Sequence, residues 1–275
     1  MDYHKLASRY KQFGGFGLVI EYAKHGALWP AIMAGARCLV KRQSFKAIYP
    51  EVLSKIEPFL IQKYGSRVQE FKSLRVRDSP DTNHVPRLLF LSNLIESKGV
   101  LVLLDALKLL KDKGYSFICD FVGGETKEID AKRFAEEVEK RGLNELALYQ
   151  GRKYGEEKEM ALTRANIFVL PTVNDCFPLV LLEAMQYGLP CVTTDEGGIR
   201  DIVVNDSGFT VHRSSQGELA KETADAMEKL ITDAELRTTM GKAGRTRLEE
   251  MFTEEVFEKR MKGLLVESLG INSGS

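Results

Sequence analysis

The sequence is short of the residues on which many catalytic and metal sites depend. It has 4 cysteines and 4 histidines in 275 residues, with a formal net charge of +0 from 39 basic and 39 acidic side chains. Cys38, Cys119, Cys176 and Cys191 show no C-x-x-C spacing, and His4, His25, His84 and His212 are dispersed. That pattern argues against a structural zinc and fits a reduced chain. There is no G-x-x-x-x-G-K-S/T loop, and Gly15-Phe16-Gly17 has Ile20 where a dinucleotide fingerprint needs glycine. No Asp-x-Asp occurs, which disfavours a diphosphate held through a metal by that motif. No run approaches the ~18–20 apolar residues of a membrane span. Lys5, Arg9 and Lys11 are not followed by the apolar stretch of a signal peptide. A cytoplasmic chain with no metal, no other cofactor and no nucleic-acid partner is the expectation.

What is present divides unevenly. Lys plus Arg outnumber Asp plus Glu by 14 to 6 over Met1–Pro80, and are outnumbered by 25 to 33 over Asp81–Ser275. Two unlike segments follow, joined by the polar, proline-bearing stretch Asp78–Pro86. The expected domains are a basic, mainly helical segment over 1–80 and a larger domain over 81–270. In the first, Pro30–Lys41 and Pro50–Tyr64 read as helices, and the basic and aromatic mixture around Trp29, Arg37, Lys41, Arg42 and Lys46 leaves two readings open. One is a helical collar with solvated charges; the other is a peripheral contact with an anionic membrane or a partner.

From Arg87 onward, short apolar runs alternate with helical ones. Leu88–Leu91, Phe117–Val122, Leu146–Tyr149, Ile167–Leu170 and Cys191–Thr193 read as buried strands, with helices at Val100–Lys113, Ala131–Arg141, Glu156–Arg164 and Pro178–Tyr187. Such alternation predicts right-handed crossovers and a single doubly wound parallel sheet of Rossmann-like, α/β class. Capping boxes at Ser215-x-x-Glu218 and Thr232-x-x-Glu235, and a cap at Thr253, open the helices of the tail.

Two stretches carry chemistry. Ser92-Asn93-Leu94-Ile95-Glu96-Ser97-Lys98-Gly99 leaves the first strand at the edge where open parallel sheets bind ligands, and a Lys beside a helix start offers charge and N–H donors to an anion. In Asn174–Met185, Pro178 fits the first position of a helix, and Glu183 lies within it among Val180, Leu181, Leu182, Ala184 and Met185. A carboxylate in apolar company needs partners. Two vicinal hydroxyls of a ribose would satisfy it, and a solvent-facing Glu on an amphipathic helix is the plainer alternative.

Asp175 and Glu183, with seven residues between them in D-C-F-P-L-V-L-L-E-A-M-Q-Y-G-L-P, resemble the Glu-x7-Glu motif of retaining glycosyltransferases of the GT-B fold, glycosyltransferase family 4. The order of S-N-L-I-E-S-K-G, F-V-G-G at Phe121–Gly124, Y-Q-G-R at Tyr149–Arg152, A-N-I-F-V-L-P-T at Ala165–Thr172 and D-E-G-G-I-R-D-I-V at Asp195–Val203 is similar too. The resemblance implies the C-terminal, donor-binding lobe of that fold, binding a nucleotide diphosphate sugar without a required metal. It implies Glu183 on the ribose hydroxyls, Asp175 at the donor hexose, and Lys98 neutralising the diphosphate. Phe177, Pro178, Leu179 and Val180 would approach sugar and phosphate through their backbone, and Gly151 and Arg152 would lie near the base. Gly123 and Gly124 would permit close backbone approach.

This chain departs from the family pattern in three places. Ser92-Asn93 stand where Gly-Arg is usual, so Asn93 replaces a phosphate-binding cation, and Asp175 is one methylene shorter than the usual Glu. Residues 1–80 do not resemble the acceptor-binding lobe. The expected function is hexosyl transfer with retention, in polysaccharide or glycoconjugate biosynthesis, onto a glycan or lipid-linked acceptor, with the acceptor wall supplied by a separate chain or by the basic segment. The alternative from another class is a non-catalytic nucleotide-sugar-binding or assembly module, or a truncated remnant of such an enzyme.

Overall fold

A computed structural model describes residues 85–212 and 214–253, together with Val256 and Lys259. The expectations for residues 1–84, including both early helices, most of the linker and the membrane or partner surface, lie outside the described residues. The chain divides into two compact units, Met1–Lys72 with Glu258–Ser275, and Ser73–Phe257. The description that follows is of the second.

Six strands form one sheet among the described residues: β1 (Arg87–Leu91), β2 (Ile118–Val122), β3 (Ala147–Tyr149), β4 (Ile167–Leu170), β5 (Cys191–Thr194) and β6 (Gly208–Val211). Every pairing is parallel, in the order β3-β2-β1-β4-β5-β6. The helices are α1 (Val100–Asp112), α2 (Ala131–Lys140), α3 (Gly155–Arg164), α4 (Leu179–Gln186), the short α5 (Ile199–Ile202), α6 (Gln216–Thr232) and α7 (Ala234–Met251). This is the doubly wound sheet expected from the alternation of runs.

Strands covered on both faces read as nearly continuous apolar runs. Leu88, Leu89 and Phe90 of β1 are wholly buried, and β4 and β5 are buried at every position. Phe90, Phe121, Phe134 and Tyr149 stack through successive ring contacts of 5.3, 4.9 and 5.5 Å, tying β1, β2, α2 and β3 into one core. α1 packs along α6, while α4 packs against β5 and α7.

The strand order reverses between β1 and β4, and that reversal places the site. At their starts the two strands are locked: Asn166 Oδ1 accepts from the Arg87 N–H at 2.8 Å, and the Asn166 N–H donates to the Arg87 carbonyl at 2.7 Å. At their C-terminal ends the loops after β1 and β4 meet, and in open sheets of this kind the crevice at that edge is the usual ligand position.

Several boundaries differ from the expectations. β6 was not among the expected strands, because Gly208-Phe209-Thr210-Val211 follows a turn-like Asn205-Asp206-Ser207 and opens on a glycine. That glycine is required: a Cβ there would lie 2.2 Å from the Cys191 carbonyl oxygen of β5. The capping box at Ser215 and Glu218 is present. The one expected at Thr232 is not; Asp233 caps α7, accepting from the Leu236 N–H at 2.8 Å, while the Thr232 hydroxyl turns back to the Glu228 carbonyl. Thr253 Oγ1 accepts from the Val256 N–H at 3.4 Å, as a cap would.

Candidate functional site at the strand-order reversal

After β1 the chain makes a single 3-10 turn, Glu96–Lys98, ended by Gly99 at φ 83. Only glycine fits there, since the positive φ disfavours a side chain and a Cβ would lie 2.1 Å from the Pro171 carbonyl oxygen. The loop after β4 is bound to the same turn: the Val173 N–H and the Thr172 hydroxyl both donate to the Ser97 carbonyl, at 2.9 and 3.1 Å. These ties bring together two residues 77 apart in sequence. Lys98 Nζ donates to Asp175 Oδ2 at 2.6 Å and to the Asn174 carbonyl at 3.2 Å. Both side chains remain partly open, 24% and 20% exposed.

The loops after β2 and β3 make the opposite wall. A Cβ on Gly123 would lie 1.7 Å from the Ser92 carbonyl oxygen, so main chain lies directly on main chain. The Gly123 N–H donates to the Gly151 carbonyl at 2.9 Å, and the Leu94 N–H to the Gly124 carbonyl at 2.8 Å. Asn93 Oδ1 accepts from the Gly124 N–H at 3.1 Å, so the residue standing in place of a family cation fastens two loops. At Gly124 a Cβ would meet the Arg152 guanidinium, 2.2 Å away, which lies against the glycine backbone. Gly151 takes φ 68, permitting the turn that presents Arg152. The Tyr149 hydroxyl donates to the Gly123 carbonyl at 3.0 Å. Burial first, then the charge of Glu125, pushes the Tyr149 phenol up against the opposing effect of Arg152, keeping it a donor.

The third component is the start of α4. Pro178 is its N-cap, with extended backbone at φ −73 and ψ 106, and not its first helical residue as expected. Its ring still fixes φ at a value suited to chain entry. No side chain caps this helix; Leu181 N–H turns back to the Pro178 carbonyl at 3.1 Å. The N–H groups of Leu179 and Val180 therefore stand at the positive end of the helix. Leu179 is 65% exposed, while Pro178 is buried and Phe177 and Val180 are half-buried. The turn before the helix is braced from the loop after β5 and from the end of α7: the Gly198 N–H donates to the Cys176 carbonyl at 2.8 Å, and Phe177 meets Phe252 edge-on at 6.1 Å. At the other end Gly188, φ 66, stops the helix, with the Leu189 N–H returning to the Ala184 carbonyl.

Glu183 has a partner that the sequence did not disclose. Lys158 on α3 donates to its Oε1 at 2.8 Å and lies 2.7 Å from Oε2. Oε2 is buried, and the Lys158 ammonium is the cation beside it. Also unforeseen is Asp195 at the end of β5, whose Oδ2 lies 2.9 Å from both Arg200 and His212. Among the described residues no group of three or more His, Cys, Asp or Glu is placed to hold a metal ion. Nor is any described helix long and apolar enough to cross a membrane.

Comparison with known proteins agrees with this architecture. The C-terminal domain of the glycosyl transferase group 1 family protein LpcC from Francisella tularensis superposes with a TM-score of 0.56 at 19% identity, over 67% of this chain and 98% of that one. Anabaena HepE, solved in complex with UDP, gives a TM-score of 0.56 at 18% identity, over 66% of this chain and 49% of that one. The fold is thus that of a GT-B C-terminal domain. In sequence, the capsular polysaccharide biosynthesis glycosyltransferase CapM of Staphylococcus aureus is 27% identical over 176 residues, 64% of this chain and 44% of CapM. The amylovoran biosynthesis glycosyltransferase AmsK of Erwinia amylovora is 26% identical over 225 residues, 76% of this chain and 51% of AmsK. The chain spans about half or less of the length of these curated relatives. Residues 76–247 match the family described as glycosyl transferases group 1, and the chain belongs to that family.

Proposed function

We propose that the crevice binds a nucleotide diphosphate sugar and that the chain is the donor half of a retaining, family 4 glycosyltransferase acting in polysaccharide or glycoconjugate biosynthesis. The observation that carries this reading is the Lys98–Asp175 pair, 2.6 Å apart at the strand-order reversal. A partly exposed ion pair is weak, so an ammonium on a flexible stem can turn from one carboxylate to a diphosphate at little cost. Lys98 and the free N–H groups of Leu179 and Val180 then converge on the phosphates.

Transfer breaks the bond between the sugar's anomeric carbon and the diphosphate oxygen, whose electron pair leaves with the nucleoside diphosphate. An acceptor hydroxyl attacks the same face of the anomeric carbon, and its proton passes to the departing diphosphate oxygen. Negative charge grows on the departing oxygen, where Lys98 and the α4 helix start stabilise it. Asp175, released from Lys98, takes the hexose hydroxyls, and Glu183 takes the ribose. Gly151, Arg152 and the glycine backbone at 123–124 form the wall toward the base. The acceptor, a glycan or lipid-linked sugar, meets a wall supplied from outside this unit.

HepE bound to UDP supports the donor class, and CapM and AmsK support the biosynthetic setting. The test is release of nucleoside diphosphate from UDP-, GDP- and ADP-sugars in the presence of polysaccharide acceptors. Faster release by the native chain than by Lys98→Ala and Glu183→Ala is expected. Equal rates for all three would exclude transfer at this crevice.

A further inference from the structure

Glu183 is held from outside its own element. It lies on α4, and its partner Lys158 lies 25 residues earlier on α3. These helices follow different strands, α3 packing on β1 and α4 on β5, so the pair spans the helical layer beside the crevice. Leu181, Ala184 and Met185 around Glu183 are buried, and so is Glu183 Oε2. A carboxylate oxygen in that position is costly without a cation at hand, and the Lys158 ammonium, 29% exposed, is the cation supplied.

The pairing leaves unused capacity on both groups. A carboxylate has about four acceptor sites and an ammonium three donors. Lys158 Nζ lies between the two oxygens, 2.8 Å from Oε1 and 2.7 Å from the buried Oε2, so the capacity left for a ligand is on Oε1 and on the remaining Lys158 N–H groups. The pair therefore offers an acceptor and further donors side by side. Vicinal hydroxyls match this pattern, since each hydroxyl donates once and accepts as well. A lone carboxylate meets only the donor half of that requirement.

We propose that Lys158 is a specificity-determining residue for the donor's ribose: it fixes the Glu183 carboxylate and itself donates to the vicinal diol, which is thus read by an ammonium–carboxylate pair. The inference rests on the reading of Glu183 as the ribose contact.

The test compares affinities of the full chain for UDP, GDP and ADP and their 2′,3′-dideoxy counterparts, in the native protein, Lys158→Met and Lys158→Arg. Methionine keeps the apolar stem and removes the donors. Lys158→Met is expected to weaken the ribonucleotide by about tenfold or more, while the dideoxynucleotide changes by no more than about twofold. Lys158→Arg, which keeps charge and donors, is expected to restore part of the preference. Binding of the ribonucleotide by Lys158→Met at native strength or tighter overturns the inference, as does equal weakening of both nucleotide forms. An arginine variant no better than methionine also counts against it. Should the native protein bind no ribonucleoside diphosphate, or bind it without preference over the dideoxy form, the underlying reading of the site fails instead.

Discussion

The two walls of the crevice are built by different means. Toward β2 and β3, backbone meets backbone: Gly123 lies on the Ser92 carbonyl, the Leu94 N–H is bonded to the Gly124 carbonyl, and Gly123 is bonded to Gly151. Toward β4, charged side chains meet across elements, Lys98 with Asp175 and Lys158 with Glu183. A wall of main chain cannot yield without moving strands, whereas long-stemmed ammonium groups exchange partners readily. The first wall therefore sets shape and the second supplies charge, a division suited to a ligand with a flat base at one end and a diphosphate at the other.

The contrast is broken most sharply at Gly123. With a Cβ placed 1.7 Å from backbone, Gly123→Val is expected to cost about 3 kcal/mol or more in stability. Gly124→Ala meets only the movable end of Arg152 and should cost less than about 1 kcal/mol. Urea unfolding of the two variants decides; similar losses would mean that the glycine wall is not rigid in the sense argued.

Lys98→Ala probes the charged wall. Affinity for nucleoside diphosphates should fall about tenfold to a hundredfold, with stability changed by no more than about 1 kcal/mol because the lost ion pair is partly exposed. A large stability loss, measured by the same unfolding series, would make Lys98 a structural residue.

Smaller effects are expected at Asn93 and at the cysteines. Asn93→Ala leaves the Gly124 N–H without its side-chain acceptor and should cost about 1 kcal/mol, with only a few-fold loss of nucleotide affinity. Cys176 is exposed beside Asp175, whereas Cys119 and Cys191 are buried. Burial pushes the Cys191 thiol up to about 12 and the Cys119 thiol well up. Both stay protonated at mildly alkaline pH, so mass mapping after iodoacetamide should find Cys176 modified before either. Their raised values also make folding less favourable as pH climbs above about 8.5, where the unfolded thiols begin to ionise.

The fold was legible because its strands are buried on both faces: runs such as Leu88–Leu91 and Ile167–Leu170 have no solvent side to interrupt them. β6 escaped notice as a half-exposed edge strand opening on glycine, and α5 as a helix of four residues. In the site, Lys98, Asp175 and Glu183 were legible as residue types at telling positions. The partner of Glu183 was not. Lys158 stands among Glu156, Glu157 and Glu159 and reads as one charge on a solvated face; its role comes from the packing of α3 beside α4, a tertiary fact with no local signature. Asn93 read as an absent cation, and only the approach of Gly124 gives its carbonyl oxygen a use. Pro178 stands at the N-cap and not the first turn, two positions that a proline before a helix fits equally from sequence.

The most direct test of the central claim, that the β1/β4 crevice is a nucleoside diphosphate site held by Lys98 and the start of α4, is a calorimetric titration of UDP, GDP and ADP into the native chain and into Lys98→Ala. Saturable binding of at least one nucleotide, weakened about tenfold to a hundredfold by the substitution, is the predicted result. No saturable binding at millimolar nucleotide, or equal affinity in the two proteins, would contradict it.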